Sequence, residues 1–152
     1  MLRIVLFFFA LTAAVSVSAD APKGYPFLPF DQAMSQAQAK GKPVFVYFGR
    51  YGCGYCEKTN KEAFSRAEVK ERYTQHYVLA YVDSESGKRL RLPSGERITE
   101  RELGTRYNAF VTPVFSYLDS SGALLHRLVG VQSKATLLEA DVTARAKLAG
   151  EE

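Results

Sequence analysis

Val44-Phe45-Val46-Tyr47-Phe48 is β-branched or aromatic throughout, and Cys53-Gly54-Tyr55-Cys56 follows it closely. A strand this apolar has no side to turn to water, so it belongs in the centre of a sheet with both faces covered. From Cys53 the pattern turns helical to about Phe64, which places the cysteines at a strand-to-helix junction. They are the only two cysteines in 152 residues. A bridge between them closes so short a loop that it removes little entropy from the unfolded chain and stabilises little. The spacing fits a dithiol that opens and closes, or a pair of metal ligands, better than a structural staple.

The remaining elements build the cover for that strand. Asp31 is placed to cap a helix running through Met34 to about Lys40, ended by Gly41. Ser65, with Glu68 three positions on, offers a capping box for a second helical stretch. Val78 to Val82 reads as another buried strand, and Ser84 to Arg97, with Gly87, Pro93 and Gly95, as a loop or small hairpin. Thr99 and Glu102 make a further capping box, opening a helix to about Tyr107. Pro113 to Leu118, the turn Asp119-Ser120-Ser121-Gly122 and Ala123 to Val129 predict a hairpin. An amphipathic helix follows from Ser133 to about Leu148, with Leu137, Leu138, Ala140 and Val142 among its apolar positions. Strands separated by helices pair in parallel and the closing hairpin is antiparallel, giving a mixed sheet with helices on both faces.

The first residues read as a processing signal. Arg3 precedes an apolar run from Ile4 to Val17, and Val17-Ser18-Ala19 offers a small-residue cleavage site before Asp20. The run is shorter than the ~20 residues of a membrane span. The expected organisation is a signal peptide over residues 1–19, an extended leader with three prolines over residues 20–29, and one domain over residues 30–152. The expected location is the periplasm, with no stable membrane insertion after cleavage. Loss of Arg3 leaves 19 basic against 16 acidic residues, a net charge of +3 with the signs interspersed. That balance gives no basic patch for nucleic acid. Outside the cytosol a disulfide persists, so the pair is free to be oxidised.

At the first turn of a helix, the Cys53 sulfur faces unpaired backbone N–H groups and the positive end of the helix dipole. Both favour thiolate over thiol and lower the pKa below the ordinary ~8.5. Cys56 lies one turn later on the same face and more covered. The expected roles are Cys53 as the nucleophile on a substrate disulfide and Cys56 as the thiol that resolves the mixed disulfide.

From about Phe30 to Leu148 the sequence resembles the thioredoxin family. The resemblance rests on Cys53-Gly54-Tyr55-Cys56 after a buried strand, Thr112-Pro113 before the hairpin, and Val129-Gly130 leading into the last helix. It implies a thioredoxin-like α/β fold, with a central mixed β-sheet flanked by α-helices on both faces. It also implies a cis peptide bond before Pro113, with Pro113 against the disulfide and the Thr112 backbone offered to the substrate chain. No cofactor is implied beyond the redox-active Cys53–Cys56 disulfide. "CGYCEKTNKEAFSRAEVKERYTQHYVLAYVDSESG" and "ITERELGTRYNAFVTPVFSYLDSSGALLHRLVG" are similar to small periplasmic thioredoxins, including the type encoded with the sulfur-oxidation system (SoxW-like). That similarity implies a reductase of client-protein disulfides that draws electrons from a membrane-embedded thiol transporter.

The chain departs from the family pattern in three places. It has no tryptophan, and Tyr51-Gly52 precedes Cys53. Tyr47 stands where a buried acid often serves the resolving cysteine, and Glu57 replaces the common basic residue after Cys56; a surface carboxylate is the expected reading of Glu57. The Gly54-Tyr55 dipeptide also occurs in periplasmic disulfide isomerases, so an isomerase or oxidase is the alternative. Those isomerases carry a separate dimerisation domain for which 133 residues leave no room. A thiolate metal site or a non-catalytic binding module belongs to another class; His76 and His126 have no ligand spacing to the cysteines and read as surface or rim residues. No metal is expected. Tyr51 and Tyr55 flank the expected substrate groove or pack beside it, and Lys88, Arg89, Arg91 and Arg97 read as a solvated loop.

Overall fold

A computed structural model describes residues 20–150; the expected signal peptide, residues 1–19, lies outside them. The elements are α1 (Phe30–Lys40), β1 (Val44–Gly49), α2 (Gly54–Thr59) continuing into a π-helical turn (Asn60–Phe64), α3 (Ala67–His76) and β2 (Val78–Asp83). After these come β3 (Arg89–Arg91), β4 (Arg97–Thr99), α4 (Glu100–Arg106), β5 (Val114–Leu118), β6 (Leu124–Val129) and α5 (Lys134–Leu148). The main sheet has the order β2-β1-β5-β6, with β1 and β2 parallel and the other two pairings antiparallel. β3 and β4 form a separate hairpin within the segment expected to be a loop or hairpin.

Every residue of β1 is buried, as its composition predicts. Alternation along the strands separates two chemically different faces. Phe45 and Tyr47 of β1, Leu79 and Tyr81 of β2, and Phe115 and Tyr117 of β5 point to the side holding Phe64, Tyr73, Tyr77 and Leu137. Val44, Val46 and Phe48, with Val78, Ala80 and Val82, Val114 and Leu118, point to the side covered by Phe30, Ala33, Met34 and Leu103. The first face is aromatic: Phe45 meets the Tyr73 ring edge-on at 4.8 Å, and Tyr47 meets Phe115 edge-on at 4.7 Å. Edge-to-face pairs at these separations contribute about 0.5–1.5 kcal/mol each beyond their buried area.

Residues 20–29 do more than lead into the domain. Ala21, Tyr25 and Phe27 are buried in the aromatic layer. The Tyr25 hydroxyl donates to the Phe64 carbonyl at 2.7 Å, and Leu28 makes a parallel bridge to Ala80 that covers the outer edge of β2.

Three local expectations are corrected. The N-cap of α1 is Pro29, not Asp31, which sits in the first turn and accepts the Gln32 N–H; Pro29 begins the helix earlier because its fixed φ suits that position. Ser65 does not cap α3. Its hydroxyl turns back to the Lys61 carbonyl of the π turn, and the N-cap is Arg66 without a side-chain bond. Val142 on α5 is exposed, while the neighbouring Asp141 is buried. The Thr99–Glu102 capping box and the Ser133 N-cap form as the sequence indicates.

Candidate active site

β1 delivers the chain to the site, and Gly49 closes it under tight constraint: a Cβ there would lie 2.6 Å from the Tyr81 hydroxyl. The chain then turns through Gly52 into Cys53, which is the N-cap of α2. Cys53 and Cys56 are joined as a disulfide, their Cα atoms 5.2 Å apart. The Cys53 sulfur accepts two hydrogen bonds, from the Cys56 N–H at 3.1 Å and from the Thr112 hydroxyl at 3.3 Å. Sulfur is a weak acceptor when neutral and a stronger one as thiolate, so both donors favour the charged form after reduction.

Pro113 is buried, and the bond joining it to Thr112 is cis. Thr112 is thereby held beside Cys53 from the β5 side of the sheet. Cys53 is 6% exposed and Cys56 1%. Cys53 is therefore the more exposed of two buried cysteines, and both line one cavity.

Gly54 is exposed, and Tyr51 and Tyr55 are 79% and 69% exposed, too open for core packing. Phe110 and Val111, which sequence reasoning did not single out, are exposed immediately before Thr112. These exposed apolar side chains stand next in sequence to the cysteines and to Thr112. Glu57 is exposed, as expected of a surface carboxylate. Lys88, Arg89, Arg91 and Arg97 are exposed on or beside the β3–β4 hairpin.

Beneath the motif, Tyr47 occupies the position where an acid was looked for. Its hydroxyl lies 3.0 Å from Asn60 Oδ1 and 3.3 Å from the Cys56 carbonyl oxygen. Burial, then the charges of Tyr81 and Asp20, push its pKa far above the ordinary tyrosine value, so it donates a hydrogen bond and does not serve as a base. Asn60 was not identified from the sequence; its place one helical turn after Cys56 is the signal that could have found it. A cavity of about 620 Å³ opens beside the disulfide, between residues 20–23 on one side and α2 with the π turn on the other.

Neither histidine joins the cysteines. His76 Nδ1 is 2.9 Å from Asp141 Oδ1, and the His126 ring packs on Tyr117. Among the described residues no group of three or more His, Cys, Asp or Glu is placed to hold a metal ion.

The sequence matches the thioredoxin-like domain family over residues 30–140. The chain belongs to the thioredoxin-like family. The fold of a Thermus thermophilus thioredoxin is similar, with a TM-score of 0.66 and 28% identity over 81% of this chain and 88% of that one. A disulphide-isomerase candidate from Bacteroides thetaiotaomicron gives 0.62 and 26%, over 80% and 91%. A thioredoxin-fold protein from Helicobacter pylori gives 0.59 and 23%, over 70% and 73%, and bears on the fold alone. No curated protein sequence matches the chain. A cysteine pair at the head of α2 on this fold makes the thioredoxin-like chain a thiol–disulfide oxidoreductase.

Proposed function

We propose that the protein is a periplasmic reductase of disulfides in client proteins, with Cys53 as nucleophile and Cys56 as resolving thiol. The observation that carries the roles is the asymmetry of the two sulfurs. Cys53 receives both hydrogen bonds and the residual exposure, while Cys56 lies beneath it. In the reduced protein the Cys53 thiolate attacks one client sulfur, the client S–S bond breaks, and its electron pair leaves on the other client sulfur. The Cys56 thiolate then attacks Cys53 Sγ, forming the intramolecular disulfide and releasing the second client thiol. Two electrons pass to the client. Thr112, with the cis bond to Pro113, aligns the client backbone, and Gly54, Tyr55 and Tyr51 border its path.

Export by a signal peptide over residues 1–19 belongs to the same proposal, as does recharging by a membrane-embedded thiol transporter and a place among SoxW-like thioredoxins. The reaction needs no cofactor beyond the disulfide and no metal. A second reading, isomerase, is favoured by the likeness to the Bacteroides disulphide-isomerase candidate.

Two measurements test this. Cys56→Ser should accumulate a client mixed disulfide through Cys53, whereas full reductase activity in Cys53→Ser would refute the roles. Equilibration against a glutathione or dithiothreitol buffer should give a potential near thioredoxin's ~−270 mV. A value near ~−180 mV would instead favour isomerisation, and one near ~−120 mV oxidation.

A further inference from the structure

When Cys56 attacks the mixed disulfide it must first lose its proton, and Tyr47, the group beneath it, does not take one. We propose that the carboxylate of Asp20, a residue carried to the site by the segment ahead of the domain and anchored there by its backbone carbonyl to Asn60, is the proton acceptor for Cys56. The inference rests on the reading of Cys56 as the resolving thiol.

Asn60 Nδ2 donates to the Asp20 carbonyl at 3.0 Å, while Asn60 Oδ1 lies 3.0 Å from the Tyr47 hydroxyl. The same hydroxyl reaches the Cys56 carbonyl. The Asp20 backbone is thus linked by two hydrogen bonds, through Asn60, to Tyr47, whose hydroxyl meets the Cys56 carbonyl. Asp20, Asn60 and Cys56 all line the 620 Å³ cavity beside the disulfide, which has room for solvent to carry a proton between a thiol and a carboxylate. The other charged groups facing the space are Lys23, Glu57 and Lys61. Both lysines are cations, and Glu57 is exposed on α2 with no hydrogen bond to Tyr47 or Asn60. Asp20 is the acidic residue whose backbone is anchored to Asn60 in this cavity.

The proton balance is simple. Cys56–SH gives its proton through solvent to the Asp20 carboxylate, and the thiolate attacks Cys53 Sγ. The Cys53–client bond breaks, its electron pair leaves on the client sulfur, and that sulfur takes a proton from Asp20 or from water.

The test is rapid mixing of the reduced protein with a disulfide-bonded peptide, following formation of the mixed disulfide and its resolution separately. D20N should slow resolution at pH 7 by about tenfold or more, at the low end of what a positioned base contributes. First attack by Cys53 and thermal stability should not change. The acid-side inflection in the pH profile of resolution should vanish in D20N and return in D20E, which a merely structural role would not produce. E57Q should resolve at the parental rate. Cleavage before Asp20 would leave an α-amino group at the same place, and D20N retains that amine. Resolution at the parental rate in D20N, a retained inflection, or the loss appearing in E57Q would overturn the assignment to Asp20. Failure of Cys56→Ser to trap a mixed disulfide would instead overturn the roles of the cysteines.

Discussion

The Thr112 hydroxyl donates to Cys53 Sγ across 3.3 Å, linking the residue before the cis bond to the accessible sulfur of the disulfide. The bond is weak to a neutral disulfide and strengthens when the sulfur carries charge, so it stabilises the reduced protein selectively. Thr112→Val keeps the shape and removes the donor. The Cys53 pKa should rise by about one unit, equivalent to about 1.4 kcal/mol. The same energy moves a two-electron potential by about 30 mV, here to a more negative value. Thiolate absorbance against pH, with a redox titration of the same variant, checks both shifts.

Gly49 ends β1 where a Cβ would lie 2.6 Å from the Tyr81 hydroxyl and 3.1 Å from its ring. Both residues sit on paired strands two positions out of register, on the same face of the sheet, Tyr81 being opposite Tyr47 and Gly49 opposite Asp83. Gly49→Ala should destabilise by about 1–3 kcal/mol, the cost of overpacking a filled interior. Tyr81→Phe removes the nearest atom, so the double variant should recover part of that loss. Urea denaturation of the four proteins of this cycle decides it, and additive effects would mean the clash is relieved elsewhere.

The frame and the reactive pair were legible because they depend on local chemistry. A run with no polar face demands burial, and two cysteines one helical turn apart have few uses. The same local logic found the Thr99–Glu102 box. It failed where two local signals compete and where a partner from elsewhere in the chain decides the outcome. Pro29 started α1 ahead of the competing Asp31, and the π turn took the Ser65 hydroxyl to the Lys61 carbonyl. Tyr47 was legible as a missing acid, but its bond to Asn60 is made by folding α2 back under β1. Asp20 to Lys23 read as part of an extended leader, and the packing of Ala21, Tyr25 and Phe27 brings them to the disulfide. The burial of Asp141 likewise depends on the packing of α3 against α5.

Glu100 begins α4 beneath the β3–β4 hairpin and is buried. Burial raises its pKa above the ordinary 4.5, opposed by a hydrogen bond from Ser86 and the charge of Lys88. With a carboxyl pKa raised on folding, the folded protein binds the proton more tightly than the unfolded chain. Stability therefore falls as pH rises from about 4.5 through the folded value, and a constant penalty remains above it. Glu100→Gln should raise Tm at pH 7, and the gain should vanish below about pH 4. Calorimetry at the two pH values checks the sign; a variant less stable at pH 7 would mean that the charged carboxylate is the form the fold prefers.

Asp141 of α5 is fully buried and adds polar contacts to the apolar packing of α5 against α3. Its Oδ1 lies 2.9 Å from His76 Nδ1, accepts the Tyr77 hydroxyl at 2.9 Å and receives Arg145 Nε at 3.2 Å. Arg72 stands 3.9 Å from Oδ2. A carboxylate without water must draw its stabilisation from such donors, and an amide of the same shape accepts fewer of them. Asp141→Asn should cost about 1.5–3 kcal/mol, the range for hydrogen bonds to a charged group. For a domain of this size that is a fall of roughly 5–10 °C in Tm. None of these side chains lines the cavity beside the disulfide, so disulfide reduction at 25 °C should proceed at the parental rate. A variant that keeps its Tm would show that the arginines carry no net stabilisation. A variant that keeps its Tm but loses turnover would connect the α3–α5 contact to the redox centre, which no hydrogen bond between them predicts.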